Sequence, residues 1–218
     1  MIKNEYVIRL EKPCDYRNIE NLTREAFWNV NVPGCDEHYL VHIMRNHKDF
    51  IPELDLVLEV DDKVIGNVMY TKSKLVDEKG NEKQIITFGP ISILPEYQRQ
   101  GYSKILLEYS FEKALNMGFD TIVIFGNPDN YVSRGFKSCK KYNVCLEGDF
   151  YPTALLVKEL KSGVLDGEKW FFYESSAFCN YDNDIKAIKK FDSTFPFKEK
   201  KWQPSQEEFY IHSNSIMR

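Results

Sequence analysis

The sequence predicts a mixed α/β fold, an α+β arrangement in which one sheet carries helices on its faces. Three observations predict it. Apolar stretches of strand length, such as residues 121–125, alternate with amphipathic stretches of helix length, such as residues 102–117. Residues 56–60 and 64–70, joined by Asp61-Asp62-Lys63, read as a hairpin, so part of the sheet is antiparallel. The 218 residues, 43% of them hydrophobic, fit one large domain, or a domain with an extension, around a real core.

Each element has its own signal. Residues 5–10 alternate as a strand does. Asp15 stands where a helix N-cap belongs, ahead of a segment to about Asn29 with Ile19, Leu22, Ala26 and Phe27 facing inward, and Pro33-Gly34 ends it. A second helix runs from Asp36 to Arg45 with Tyr39, Leu40 and Ile43 on one side, closed by Pro52. After the hairpin, the turn at residues 77–81 leads into a strand over residues 85–94. Pro90 inside that strand cannot donate to a ladder, so it marks a bulge or an edge. The helix at 102–117 carries Tyr102, Ile105, Leu106 and Tyr109 at helical spacing and ends at Gly118. A buried strand at 121–125, a short helix at 129–134 and strands at 140–146 and 153–160 complete the sheet. Beyond Ser162 the pattern changes, with one more strand at 170–178 and then a Lys-rich, aromatic stretch from Asn180 to Arg218 without a clear period. This divides the chain into a domain over 1–162 and an extension over 163–218. Phe191, Phe195, Phe197, Trp202, Phe209 and Tyr210 are too many aromatics for a free tail, so the extension is expected to pack on the domain or on a second subunit in a homodimer.

The segment Gln98-Arg99-Gln100-Gly101-Tyr102-Ser103 carries the clearest chemistry. A strand that breaks at Pro95, turns through a glycine and enters a helix leaves the first backbone N–H groups of that helix aimed at one spot, which suits an anion. Gly101 allows close approach of a ligand, and Arg99 and Lys104 add positive charge. An ordinary strand-turn-helix connection has the same local spacing. Downstream, Phe125-Gly126-Asn127-Pro128-Asp129-Asn130-Tyr131-Val132-Ser133-Arg134-Gly135-Phe136 follows another buried strand.

These two blocks, Q-x-x-G-x at the head of a helix and then a Tyr before Gly-Phe, resemble the GNAT superfamily of acetyl-CoA-dependent N-acetyltransferases. The flanks at 88–97 and 154–160 are similar to one bacterial subgroup of predicted acetyltransferases, and the resemblance covers roughly residues 5 to 160. Ser103 departs from it, since the family has Gly or Ala there. The resemblance implies a mostly antiparallel central sheet with a splayed strand pair, acetyl-CoA as cosubstrate, and a primary amine of a small molecule or protein as acceptor. It implies that backbone N–H groups of about Gln100, Gly101, Tyr102, Ser103 and Lys104 take a pyrophosphate and that main-chain groups of Ile91 and Ile93 pair with the pantetheine arm. It adds Ser92, Gln98, Arg99 and Asn127 to the cofactor-binding set, places an oxyanion donor near the Ile91 N–H, and aligns Tyr131 with the family's acid to the departing sulfur. A core tyrosine packed beside Phe136 is the structural alternative for Tyr131. Glu25, Glu59 and Glu96 stand in position to act as base, and nothing in the sequence chooses among them.

Composition excludes several classes. A net charge of −4 and a pI near 5.7 argue against nucleic acid as partner. No apolar run reaches membrane-span length and the first residues are charged, so the expectation is a cytoplasmic protein without a membrane partner. The five cysteines include no C-x-x-C pair, and His38 and His42, four apart beside Cys35 and Glu37, lack an H-E-x-x-H pattern, so no metal is expected. The competing function is a non-catalytic acyl-CoA-binding sensor or accessory module. The sequence argues against a nucleotide-dependent phosphotransferase, since it has neither G-x-x-x-x-G-K-[ST] nor a kinase-like glycine loop.

Overall fold

The structure is a computed structural model and describes residues 5–165, 167–179 and 184–217. Its strands are β1 (Tyr6–Leu10), β2 (Leu56–Val60), β3 (Lys63–Asp77), β4 (Glu82–Ile93), β5 (Thr121–Phe125), β6 (Lys137–Ser138), β7 (Val144–Cys145), β8 (Leu155–Glu159) and β9 (Trp170–Tyr173). The helices are α1 (Tyr16–Phe27), α2 (Glu37–Met44), α3 (Tyr102–Asn116), α4 (Pro128–Tyr131), α5 (Ser176–Cys179), α6 (Ile185–Asp192) and α7 (Pro204–Asn214). The main path of the sheet runs β1-β2-β3-β4-β5-β8-β6, antiparallel except at β4/β5, and β9 adds to the far half of β3. β7 pairs parallel with β9.

Side-chain alternation sorts the helices. Leu106, Leu107 and Phe111 of α3 bury against Tyr70, Ile86, Phe88 and Phe136 on one face. Ile19 and Leu22 of α1 with Leu40, Val41 and Met44 of α2 cover Val57, Val64 and Met69 on the other. A third cluster, Leu75, Ile85, Val123, Val157 and Phe172, closes the lower half of the sheet.

Pro90 does mark a bulge. Val68 pairs with Ile91 and Tyr70 with Phe88, so Gly89 and Pro90 together oppose Met69 alone. The Gly89-Pro90 peptide is cis. Four local expectations change. The strand expected over 170–178 ends at Tyr173 and is followed by α5. Asp15 does not cap α1 with its side chain; its carboxylate instead takes hydrogen bonds from Arg9 and from the Lys12 N–H. In place of the strand expected at 140–146, a 3₁₀ turn over Cys139–Tyr142 precedes a two-residue β7. The stretch after Asn180 holds two helices: Asp184 caps α6 by accepting from the Ala187 N–H at 3.0 Å, and Pro204 opens α7. Residues 180–183 and 218 of that stretch lie outside the described residues.

The described part of the extension packs on the domain. Asp192 of α6 ion-pairs with the buried Arg24 at 2.7 Å and lies 3.2 Å from His38 Nε2. Arg17 sits 3.5 Å over the ring of Phe195. Trp28 Nε1–H donates to Glu199 O at 3.0 Å, and Gln206 donates to Asn29 O at 3.0 Å. Among the described residues no helix is long and apolar enough to cross a membrane.

Candidate active site

The site begins with a sheet that comes apart. β4 and β5 pair at a single point, Ile86 with Ile122, and then diverge, so among the described residues no strand lies on the β4 edge from Thr87 to Ile93 that faces β5. Backbone groups left without a ladder partner need another. A cleft of about 250 Å³ lies there, lined by Ile91, Ile93, Gln98, Arg99, Tyr102, Ser103 and Tyr131 together with Phe27, Tyr97, Leu107, Asn130 and Arg134.

The loop above the cleft is braced from below. Gln98 Nε2–H donates to Ile93 O at 2.9 Å and Gln100 Nε2–H to Glu96 O at 2.7 Å, so both glutamines hold the turn rather than reach out of it. Arg99 and Gly101 both take left-handed backbone, φ 59° and 96°, and Gly101 is the N-cap of α3 with no side chain capping it. The N–H groups of Lys104 and Ile105 donate to Gly101 O. Tyr102 and Ser103 therefore present the first N–H groups of the helix, and the positive end of its dipole, toward the cleft.

Ser103 is not a passive small residue. Its hydroxyl accepts from Arg134 Nη2 at 3.0 Å, which ties the head of α3 to the turn after α4. Arg134 Nη1 also donates to Asn130 O, while its buried Nε has no partner among the described residues. The cradle thus holds a guanidinium that the sequence spacing did not single out for binding.

Tyr131 stands half-buried with its ring 5.7 Å from Phe88 and 5.8 Å from Phe136. Burial pushes its phenol up to about 12, with Arg134 opposing the shift. The ring fits because residue 126 has no side chain: a Cβ on Gly126 would lie 2.5 Å from Tyr131 Cε2. Tyr131 thus packs beside Phe136 and also lines the cleft.

The remaining expected residues lie elsewhere. The Ser92 hydroxyl points to the other face and donates to Thr23 Oγ1 at 3.1 Å. The Lys104 ammonium is exposed, 3.7 Å from Glu108. Asn127 caps α4, accepting from the Asp129 N–H at 3.0 Å, and lines a neighbouring cavity of about 310 Å³ between Phe125, Val30 and Phe209 of α7. All three carboxylates in position to be the base are tied to cations: Glu25 to Lys198 at 2.7 Å, Glu59 to Arg9, and Glu96 to Lys63 at 2.9 Å. His38 is buried between Asp192 and Cys35 with its pKa lowered to about 4 by desolvation, and His42 pairs with Glu20 at 2.8 Å. Among the described residues no three metal-ligating side chains gather at one point.

Known proteins share this architecture. Residues 17–138 match the model of a family described as Acetyltransferase (GNAT) family. The chain is 27% identical over 162 residues to an uncharacterized N-acetyltransferase, YhbS, of Escherichia coli K12, covering 74% of this chain and 91% of that one. A second E. coli K12 relative, the uncharacterized N-acetyltransferase YjhQ, is 27% identical over 139 residues, 64% of this chain and 74% of that one. Among solved structures, YhbS from E. coli in complex with CoA superimposes with a TM-score of 0.68 at 22% identity, over 85% of this chain and 96% of that one. A GNAT family acetyltransferase from Brucella melitensis in complex with acetyl-CoA gives a TM-score of 0.62 at 23% identity, over 81% and 99%.

Proposed function

We propose that this chain, which belongs to the acetyltransferase (GNAT) family, moves an acetyl group from acetyl-CoA to a primary amine of a small molecule or protein. The observation that carries the reading is the parted β4/β5 edge, with the head of α3 at one end of its cleft and Tyr131 in its wall. The two solved neighbours that hold CoA and acetyl-CoA support it.

Acetyl-CoA supplies the acetyl group as a thioester. The Tyr102 and Ser103 N–H groups, Arg99 and Arg134 offer donors and positive charge to its phosphates, and the unpaired β4 edge at Ile91 offers main-chain hydrogen bonds to its amide-bearing arm. The Ile91 N–H, fixed beside the bulge, is our candidate donor to a developing oxyanion, because a preset donor reorganises little as charge forms. Tyr131 is assigned to the departing sulfur. A phenol near 12 stays protonated at working pH, so it acts first as a hydrogen-bond donor, and it passes its proton only to a thiolate made more basic by the same desolvation.

Thiol release from acetyl-CoA, measured with a panel of primary amines (a polyamine, an arylalkylamine, an aminoglycoside and a lysine peptide), tests the reading. Release is expected to depend on the amine, and Tyr131→Phe is expected to slow turnover by about tenfold or more with acetyl-CoA affinity kept within about threefold. Binding without amine-dependent release would instead support an acyl-CoA-binding module.

A further inference from the structure

Resting on the acetyltransferase reading, we propose that Glu174, carried beyond the family-matched segment at the end of β9, is the base that takes the proton from a cationic amine acceptor. Placement carries the argument. Phe172 pairs with Leu75 and Tyr173 with Lys74 across β9 and β3, and alternation puts Phe172 and Glu174 on one face. Phe172 belongs to the cluster of Leu75, Ile85 and Val123, and its ring lies 6.1 Å from Phe125 at the end of β5. Four residues past Glu174, the ring of Phe178 lies 3.4 Å from where a Cβ on Gly89, in the β4 bulge, would sit. Phe172 and Phe178 therefore lie beside β5 and beside the β4 bulge, and Glu174 stands between them in the chain.

The wall beside Glu174 is polar. Ser73 and Thr87 share a hydrogen bond of 2.9 Å, and the buried Thr71 hydroxyl, on the same face as Ser73, has no partner among the described residues. Glu174 lines a groove of about 510 Å³ with Asp49, Lys72, Ser73, Lys74 and Glu82. Lys74 pairs with Glu82 and lies over the Tyr173 ring, while Asp49 accepts from Ser175 at 2.8 Å and stands 3.7 Å from His47. With Glu174 ionised, Asp49, Glu82 and Glu174 outnumber Lys72 and Lys74 by one, which suits a cationic acceptor. Glu174 is half-buried, and its carboxylate makes no hydrogen bond or ion pair with a described residue. Burial alone raises it to about 7, which makes it a stronger base than an exposed carboxylate and leaves it partly ionised at neutral pH.

The step balances. Glu174 accepts one ammonium proton and returns it to water; the freed nitrogen lone pair forms the C–N bond as the C–S bond breaks. Of the other two ammonium protons, one stays on the amide nitrogen and one ends on the thiol sulfur, through Tyr131 or water.

The test follows thiol release with the same amine panel from about pH 5.5 to 9.5 in the wild-type chain, Glu174→Gln and Glu174→Asp. Where no amine outpaces water, acetyl-CoA hydrolysis is followed through the same series. Wild-type kcat/KM is expected to rise through about pH 7. Glu174→Gln is expected to be about 100-fold slower at neutral pH, with its limb displaced toward the amine's own pKa of about 10, and Glu174→Asp to keep a limb near neutrality. The Gln variant should fold, because it removes a buried charge, and should bind acetyl-CoA within about threefold of the wild type. An unchanged pH profile in Glu174→Gln, with acetyl-CoA bound normally, overturns the assignment of the base alone. A wild-type chain that binds no acetyl-CoA overturns the acetyltransferase reading, and this assignment with it.

Discussion

Gly126 and Tyr131 form one steric unit at the scale of the residue, because the ring of one occupies the space where the other would carry a side chain. A methyl group there would lie 2.5 Å from Cε2 and 2.9 Å from Cδ2, inside contact distance, so the ring must turn or the strand end must move. Gly126→Ala is therefore expected to lower turnover by about tenfold, as is expected of Tyr131→Phe, and also to cost about 1–3 kcal/mol in urea unfolding, which is not expected of Tyr131→Phe. Arg134 and Ser103 make a second pair. Arg134→Ala removes the guanidinium from the cradle and is expected to weaken acetyl-CoA binding about tenfold by calorimetry. Ser103→Ala removes only a tether for that guanidinium and is expected to change the affinity by less than about threefold. Tyr131 was visible in the sequence through its position before Gly-Phe. Arg134 was not, since its place depends on two loops 31 residues apart meeting in space.

Among the elements, the strand-loop-helix from β4 to α3 was legible because local chemistry dictates it. Pro90 forbids a regular ladder, Pro95 breaks the strand, and Gly101 permits the left-handed turn that starts the helix. The side-chain amides of Gln98 and Gln100 brace the loop by donating to Ile93 O and Glu96 O, and Gln98 also lines the cleft. The extension was legible in composition only. Ile185, Ile188 and Phe191 lie three apart behind a capping Asp184, but the stripe is short and interrupted by lysines. What fixes α6 is tertiary: Asp192 neutralises Arg24, which is 1% exposed, and Phe191 and Phe195 cover His38. Removing one partner of such a pair strands a buried charge. Asp192→Ala is accordingly expected to destabilise the whole domain by about 3 kcal/mol in urea unfolding, far above what loss of an exposed pair would cost.

For the whole molecule, the fold places one helix layer on each face of a sheet and leaves its middle parted. The alternation of strands and helices foretold the layers, whereas the joining of β9 to β3 is a long-range pairing that no local pattern encodes. Stability has its own pH signature. Burial and the neighbouring Glu11 push the Asp55 carboxyl well above the ordinary carboxylate range. Its folded pKa exceeds the unfolded value of about 3.9, so its contribution is complete below that pH and is lost as the pH climbs toward the folded value. Asp55→Asn keeps an oxygen for the Asn67 amide, which donates to Asp55 at 3.0 Å, and never ionises. Its Tm is expected to match the wild type near about pH 4 and to exceed it at about pH 8, and equal profiles would contradict the shift. Acetyl-CoA is expected to bind along the parted edge of β4 beneath the head of α3. Hydrogen exchange of the backbone with and without saturating acetyl-CoA tests it most directly. Slowed exchange concentrated in residues 87–93 and 99–105 is the predicted result. Slowing confined to the groove beside Lys72 and Glu174, or none at saturation, would contradict it.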